Sequence, residues 1–393
     1  MRTIGPRKLQ LASNEVIRDI NRRVVLNLIR TRQPLSRADL ARVSGLQRST
    51  ISLIVEDLIK QGWLIEGPTG PLPRGRRPSF LRLNDQRAII GVDVRPGQIL
   101  VALADVNGKF SSQEAFATPL DPNTAVDELI VRIRRLLRSC PEKTIEGIGI
   151  TLPGRVDQAS GRLVFAPNLP WPEFDLRTPL QAATGLVVEM ENAANACVLA
   201  AAWFDHLESR NLVVVTVSEG IGTGLLVNGQ LAHGLSGMAG EFGHVPVDPI
   251  GPFCGCGSRG CWEVFASNRA ALRYYFEPSP VSESLSFIDL LGLAEQGDGR
   301  AAQALDTMAH YLGRGMRMIV AGLDPERILV IGDLTRSWHR FGPVLEAEVH
   351  AQTLPGGGTP LVQPVHEGGM ARLRGTVALV LHKHFAANPG IRA

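Results

Sequence analysis

The sequence predicts an α/β protein in two parts: a winged helix-turn-helix head over residues 1–84 and a mixed α/β body of two lobes around a cleft over residues 85–393. Three observations predict it. The formal net charge is +3, but residues 1–84 hold sixteen Lys and Arg against six Asp and Glu, which puts +10 on the head and −7 on the rest. Up to Gln61 the apolar residues recur at helical spacing in three short blocks. Beyond Asn84, β-branched runs alternate with amphipathic stretches, as strands and helices packed in layers do. With 44% hydrophobic residues the chain has ample core, and a disordered or fibrous class is excluded. No apolar run approaches the about 18–20 residues that span a bilayer. Met1–Gln10 carries Arg2, Arg7 and Lys8 with no apolar segment behind them, unlike a secretory signal. Five cysteines, three of them within eight residues, argue against a disulfide framework and predict the reducing cytoplasm.

Ile20, Val24, Val25, Leu28 and Ile29 mark a first helix over residues 17–31, which Pro34 ends. Ser36 is an N-cap for a short helix through Val43, with Leu40 and Val43 on its buried face, and Gly45 stops it. A third helix over residues 47–61 carries a stripe of Ile51, Ile54, Val55, Leu58 and Ile59, leaving Arg48, Ser49 and Ser52 on the opposite face near its start. In a helix-turn-helix the first residues of the last helix reach base edges, so these three are the predicted readers of DNA. Residues 64–66 and 80–83 read as two strands of a wing. Between them, Arg74-Gly75-Arg76, followed by Arg77, resembles the basic hooks that enter narrow A·T-rich minor grooves. A +10 charge on such a module predicts a polyanion partner, double-stranded DNA.

In the body, residues 88–94 and 99–105 are apolar, β-branched strands, followed by an Asn107-Gly108 turn. Residues 124–139 form an amphipathic helix through Leu129, Ile130, Ile133 and Leu136. Residues 148–152 are a strand ending in Pro153-Gly154. An Ala-rich helix follows over residues 195–207, then a buried strand over 212–217 and an Asn228-Gly229 turn. Residues 301–323 are a long helix, residues 328–331 a strand, and residues 370–385 the closing helix.

The clearest chemistry is Cys254-Gly-Cys256-Gly-Ser-Arg-Gly-Cys261, three thiols on a glycine-rich loop, with His244 ten residues upstream. This is the donor set of a tetrahedral Cys₃His zinc site. Four protein ligands leave no open position for a metal-bound water, so the predicted Zn²⁺ is structural.

Gly237-Met-Ala-Gly240-Glu241-Phe-Gly243-His244, followed by Cys254-x-Cys256-Gly-x-x-Gly-Cys261-x-Glu263, resembles the signature of the ROK family, bacterial sugar kinases and sugar-responsive repressors. The resemblance covers nearly the whole chain, because the repressor branch, with its glucose, N-acetylglucosamine and xylose repressors, also carries an N-terminal winged helix-turn-helix. It implies an actin-like, hexokinase-like two-lobed ROK domain with sugar in the interlobe cleft. It further implies that Gly154, Asn168, Asn192, Glu241, His244 and Glu263 line the sugar pocket. Carboxylates and amides suit that task, since they bind vicinal hydroxyls through paired hydrogen bonds. His244 would bind zinc through one ring nitrogen and face a sugar hydroxyl with the other.

A sugar kinase also needs a base for the attacking hydroxyl and a cradle for the phosphates. The family's kinases resemble Glu-Asn-Asp-Ala-Asn where this chain reads Glu191-Asn192-Ala193-Ala194-Asn195, and a methyl group takes no proton. They resemble Asp-x-Gly-Gly-Thr-Lys where this chain has Asp93-Val-Arg95-Pro96-Gly97-Gln98. Pro96 removes a backbone donor and Arg95 adds bulk. The second glycine-rich loop, Gly220-Ile-Gly222-Thr223-Gly224, is kept. The expected protein is therefore a non-enzyme, a sugar-responsive regulator and most simply a repressor. A homodimer or homotetramer would hold a pseudo-palindromic operator and respond to a monosaccharide or sugar phosphate. Three alternatives stay open: a sugar kinase with a DNA-binding head, control by a transporter-subunit protein as in some family members, and an activator.

Overall fold

A computed structural model of the chain describes residues 14–69, 79–204, 209–277, 285–351, 358–365 and 368–385. Arg74, Arg76 and Arg77 lie outside the described residues.

The head comprises α1 (Asn14–Arg32), β1 (Leu35–Ser36), α2 (Arg37–Ser44), α3 (Arg48–Lys60), β2 (Leu64–Thr69) and β3 (Ser79–Leu83). The three strands form one antiparallel sheet in the order β1-β3-β2, the wing beside a three-helix core. Ser36 caps α2 through a capping box with Asp39, and Gly45 ends that helix at φ +72°. Leu40 is fully buried as expected, whereas Val43 is 40% exposed. Only eight residues long, α2 has room for one buried position per turn against α3, and Val43 falls on the flank.

The first lobe runs through β4 (Arg87–Val94), β5 (Gln98–Asp105), β6 (Phe110–Ala117), α4 (Pro122–Ser139), β7 (Thr144–Leu152), β8 (Arg155–Asp157) and β9 (Arg162–Phe165). It continues with β10 (Phe174–Asp175), α5 (Arg177–Thr184), β11 (Val188–Asn192) and α6 (Ala193–Phe204). The second lobe holds β12 (Leu212–Val217), β13 (Ile221–Val227), β14 (Gln230–Leu231), α7 (Glu263–Ala266), α8 (Asn268–Phe276) and α9 (Phe287–Glu295). After these come α10 (Gly299–Leu323), β15 (Arg327–Ile331), α11 (Trp338–His350), β16 (Leu361–Pro364) and α12 (Gly368–Phe385).

The two lobes repeat one topology. Each has a five-stranded sheet, β11-β7-β4-β5-β6 in the first and β16-β15-β12-β13-β14 in the second. In both, three antiparallel strands come first and two parallel strands are added beside the first of them. The central strands are apolar on both faces because helices cover both, as parallel-containing sheets require. Each lobe closes over its own core, one around Val92, Ile150 and Leu129, the other around Val215, Trp262 and Leu312.

The head is not a separate bead. Its core residues Val25, Leu26, Ile29, Leu58, Leu64 and Leu81 belong to one buried cluster with Trp203 of α6 and Val377, Leu381 and Phe385 of α12. Three expected boundaries shift inward or outward: the Ala-rich helix starts at Ala193 rather than 195, α10 at Gly299, and α12 at Gly368.

Candidate functional site in the interlobe cleft

The cleft opens where strands of both sheets end. Leu152 closes β7 and Asn192 closes β11, facing Val217 at the end of β12. Ligands of open α/β sheets bind at such carboxyl ends. A cavity of about 90 Å³ lies here, and Gly154, Asn168, Asn192, Glu241, His244 and Glu263 all line it. Six residues spread over 110 positions of chain thus converge on one space. Pro167, Thr216, Ser218 and Arg372, which the sequence reading did not single out, line it too.

Local conformation explains the convergence. Gly154 turns the chain out of β7 at φ +86°, and a Cβ there would stand 2.1 Å from the Phe165 carbonyl oxygen. Asn192 braces that turn: its Nδ2 donates to the Gly154 carbonyl at 2.6 Å, and its Oδ1 accepts from the Ala194 N–H at 2.8 Å, at the start of α6. Half of its amide capacity therefore goes to framework and half remains for a ligand. Gly220 lets Glu263 and Asn168 close in, since a Cβ there would meet Glu263 Oε2 at 2.6 Å.

Negative charge in the cavity is carried by Glu241 and Glu263 with His244 between them, and Arg372 brings a positive charge. His244 Nε2 lies 3.9 Å from Glu241 Oε2, and its Nδ1 lies 3.6 Å from Glu263 Oε1. Burial raises the Glu241 carboxyl above the usual range, with His244 drawing it back and Glu263 adding to the rise.

His244 is also the hinge to the cysteine loop. Its ligand atom and the sulfurs of Cys254, Cys256 and Cys261 all lie within 4.8 Å of one another. Cys256 and Cys261 sulfurs stand 3.7 Å apart, and Cys254 Sγ is 3.5 Å from His244 Nδ1. Ligands at about 2.0–2.3 Å from a tetrahedral centre are separated by such distances, so these residues fit a metal ion. Burial raises the thiols of Cys254 and Cys261, the latter to about 11. At Cys256 burial is outweighed by hydrogen bonds from Ser258 and the neighbouring thiols, which bring it down to about 7. A metal binding here must displace thiol protons, including the one Cys254 donates to Glu263 Oε1 at 2.9 Å.

Behind Asn192 stands a second polar set with no sequence signal beyond its own residue types. Glu191 is almost fully buried and accepts from Gln158 Nε2 at 2.9 Å and Asn195 Nδ2 at 3.1 Å. It also lies 2.7 Å from His233 Nε2. On the head, Arg48 and Ser49 are exposed at the start of α3, and Ser52 is half-buried. The directly outward stripe of α3 consists of Ser49, Leu53, Glu56 and Lys60. No described helix is long and apolar enough to cross a membrane.

Known proteins share this architecture. A sequence model of the ROK family matches residues 89–383. The chain is 32% identical to the xylose repressor of Bacillus subtilis (strain 168) over 334 residues, 84% of this chain and 86% of that one. Among solved structures it is similar to a ROK family transcriptional regulator, a homologue of the Escherichia coli MLC protein, at 25% identity and a TM-score of 0.80, covering 94% of this chain and 98% of that one. A ROK family glucokinase from Streptomyces griseus, in complex with glucose and AMPPNP, aligns at 27% identity and a TM-score of 0.66, over 74% of this chain and 98% of that one. The glucokinase thus leaves about a quarter of this chain unmatched, whereas the regulator spans nearly all of it. With more than half its length matched by the family and its two lobes built alike, the chain belongs to the ROK family.

Proposed function

We propose that the protein is a sugar-responsive DNA-binding transcriptional regulator, a repressor that leaves its operator when a monosaccharide or sugar phosphate fills the interlobe cavity. The observation that carries this is the union in one chain of a head of three helices and a three-stranded sheet with a polar cavity on which Asn168, Asn192, Glu241, His244 and Glu263 converge. The similarity to the xylose repressor supports it over most of the chain. Arg48, Ser49 and Ser52 would meet base edges or phosphates, and Arg74, Arg76 and Arg77 the minor groove. A homodimer or homotetramer in the cytoplasm would place two heads about one helical turn apart on DNA.

Catalysis is not part of this reading. Ala193 stands where a kinase of the family has its base, and Arg95 and Pro96 replace the first phosphate loop. A structural Zn²⁺ held by His244, Cys254, Cys256 and Cys261 would fix the loop between Glu241 and Glu263, and so the spacing of both carboxylates.

The decisive experiment is a gel-shift titration of Glu241→Ala. The variant is expected to bind operator like the parent protein and to resist release at sugar concentrations that free the parent fully. Sugar-sensitive release by the variant overturns the assignment of this cavity, and steady ADP formation in a coupled assay over a sugar panel would favour the kinase alternative. Metal analysis of the purified protein is expected to find one zinc per chain; a value well below one removes the metal assignment.

A further inference from the structure

A cavity of about 700 Å³ opens where the head meets the body, and it shares no lining residue with the interlobe cavity. Asn27 and Arg30 of α1 are the head's part of its wall, and the body supplies the rest, chiefly from α6, β11, β14 and α12. Small-molecule sites are concave spaces of about 300–1,000 Å³ with apolar walls and a few convergent polar groups. Here Leu199, Leu226, Leu231, Leu379 and Phe385 make the apolar wall.

The charged groups of this cavity are answered with one exception. Glu189 pairs with Lys383, and Glu191 lies 2.7 Å from His233, whose pKa that contact raises. Arg30 has no carboxylate partner among the described residues. Its Nε donates to Asn27 Oδ1 at 3.3 Å, its Nη1 donates to the Trp203 carbonyl, and the guanidinium lies over the Trp203 indole at 4.3 Å. Two of the five guanidinium N–H donors are thereby used, which leaves three. Burial pulls the Arg30 pKa down to about 10, with no anion to offset it. A part-buried cation without an anion is costly, and a bound anion relieves that cost. Two further donors of the same wall lack acceptors among the described residues. The Trp203 indole N–H is buried and unpaired, and the exposed His382 ring makes no hydrogen bond there.

We propose that this cavity is a second ligand site, for a monocarboxylic acid with an apolar body. The carboxylate would lie against Arg30 and His382, and the apolar part against Leu199, Leu231, Leu379 and Phe385. A carboxylate matches the fork of a guanidinium, and such charge-assisted hydrogen bonds are among the stronger ones available. Lys383 and His233 already hold carboxylates, so the wall answers a single negative charge rather than two. The site touches α1 of the head together with α6 and α12 of the body, so an occupant ties the two parts to each other.

The test is calorimetry on the full-length protein with phenylacetate, 3-phenylpropionate and octanoate, each beside its primary amide. At least one acid is expected to bind about tenfold more tightly than its amide, the worth of a charge-assisted over a neutral hydrogen bond. Arg30→Gln is expected to remove that preference. His382→Gln, at an exposed position, is expected to reduce it several-fold while circular dichroism stays that of the parent. Absence of binding by all three acids at millimolar concentration overturns the proposal. So does an amide that binds as tightly as its acid, and so does a preference that survives in both variants. Acid binding that is lost in Glu241→Ala would place the acid in the interlobe cavity, and that also overturns it. Each of these failures leaves the sugar-sensor reading standing, because the two cavities share no residue.

Discussion

Asp93 is a fully buried carboxylate held between two of the chain's own cations. A buried carboxylate is costly unless paired, and in this chain the pairing is internal: Arg95 and Arg372 flank it, and Thr151 Oγ1 donates to it at 3.1 Å. Replacing Asp93 by Asn would leave two guanidinium groups facing a neutral amide in a closed site. Breaking a buried pair in this way costs about 3–5 kcal/mol. Asp93→Asn is expected to lower the urea midpoint accordingly with little change in slope, while Arg95→Gln costs about 1 kcal/mol, because Arg372 stays in place. Equal losses in the two variants would refute the shared-anion picture. The sequence announced Arg95 as a departure from a phosphate loop, and announced the three cysteines through their spacing. It gave no sign of Arg372 or His233. A residue that acts by meeting a partner 279 positions away, as Arg372 meets Asp93, has no local pattern to betray it.

Among the elements, α3 separates what periodicity can say from what it cannot. Its buried stripe of Ile51, Ile54, Val55 and Leu58 is a matter of helical spacing and was foreseeable. On the outward side the sequence predicts Arg48, Ser49 and Ser52, and the structure adds Leu53, 67% exposed between Ser49 and Glu56. If this face enters the major groove as proposed, an apolar side chain in its middle suits the C5-methyl of thymine. Replacing thymine by uracil at the contacted position of the selected operator is expected to weaken parent binding about fourfold, the worth of one buried methyl group. Leu53→Ala should bind thymine and uracil operators alike. A fourfold loss persisting in the variant would show that another residue reads the methyl. Elsewhere several missed elements have a local reason. Pro343 lies inside α11 and hides it from a helix search, and β8, β10 and β16 are too short for alternation to register. The duplicated lobe topology left no sequence repeat, because strand order depends on packing and not on any particular residue.

For the whole molecule, the +10 head and −7 body meet across a shared hydrophobic core. From the interlobe cavity, Asn192 leads to Glu191 and His233, and the neighbouring Leu231 of β14 packs against the core that α1 also enters. The polar rim of that junction is rich in cations. His384 lies against Trp63 with ring centroids 4.7 Å apart and the planes tilted by 48°, Arg87 lies over the same indole at 4.1 Å, and Arg87 also pairs with Glu146. Burial lowers the His384 pKa, and Arg22, Arg87, Lys383 and Arg23 lower it further; His382 is lowered chiefly by burial, with His233 and Arg23 adding to it. A histidine depressed in the folded state contributes stability that is complete above its ordinary value of about 6.5 and is lost as pH falls through the lowered value. His233 works in the opposite sense: its hydrogen bond to Glu191 raises it, so its contribution is full below about 6.5 and fades as pH rises through the raised value. Two depressed histidines at the junction against one raised beside the cavity predict that acid loosens the head before it opens the cleft. The melting temperature is expected to fall between pH 7 and pH 5, with faster amide exchange in α1 and the end of α12 than around Asn192. His384→Gln should remove much of that acid loss, and His233→Gln should deepen it. An acid loss that His384→Gln leaves unchanged would place the titrating groups elsewhere than at the head–body junction.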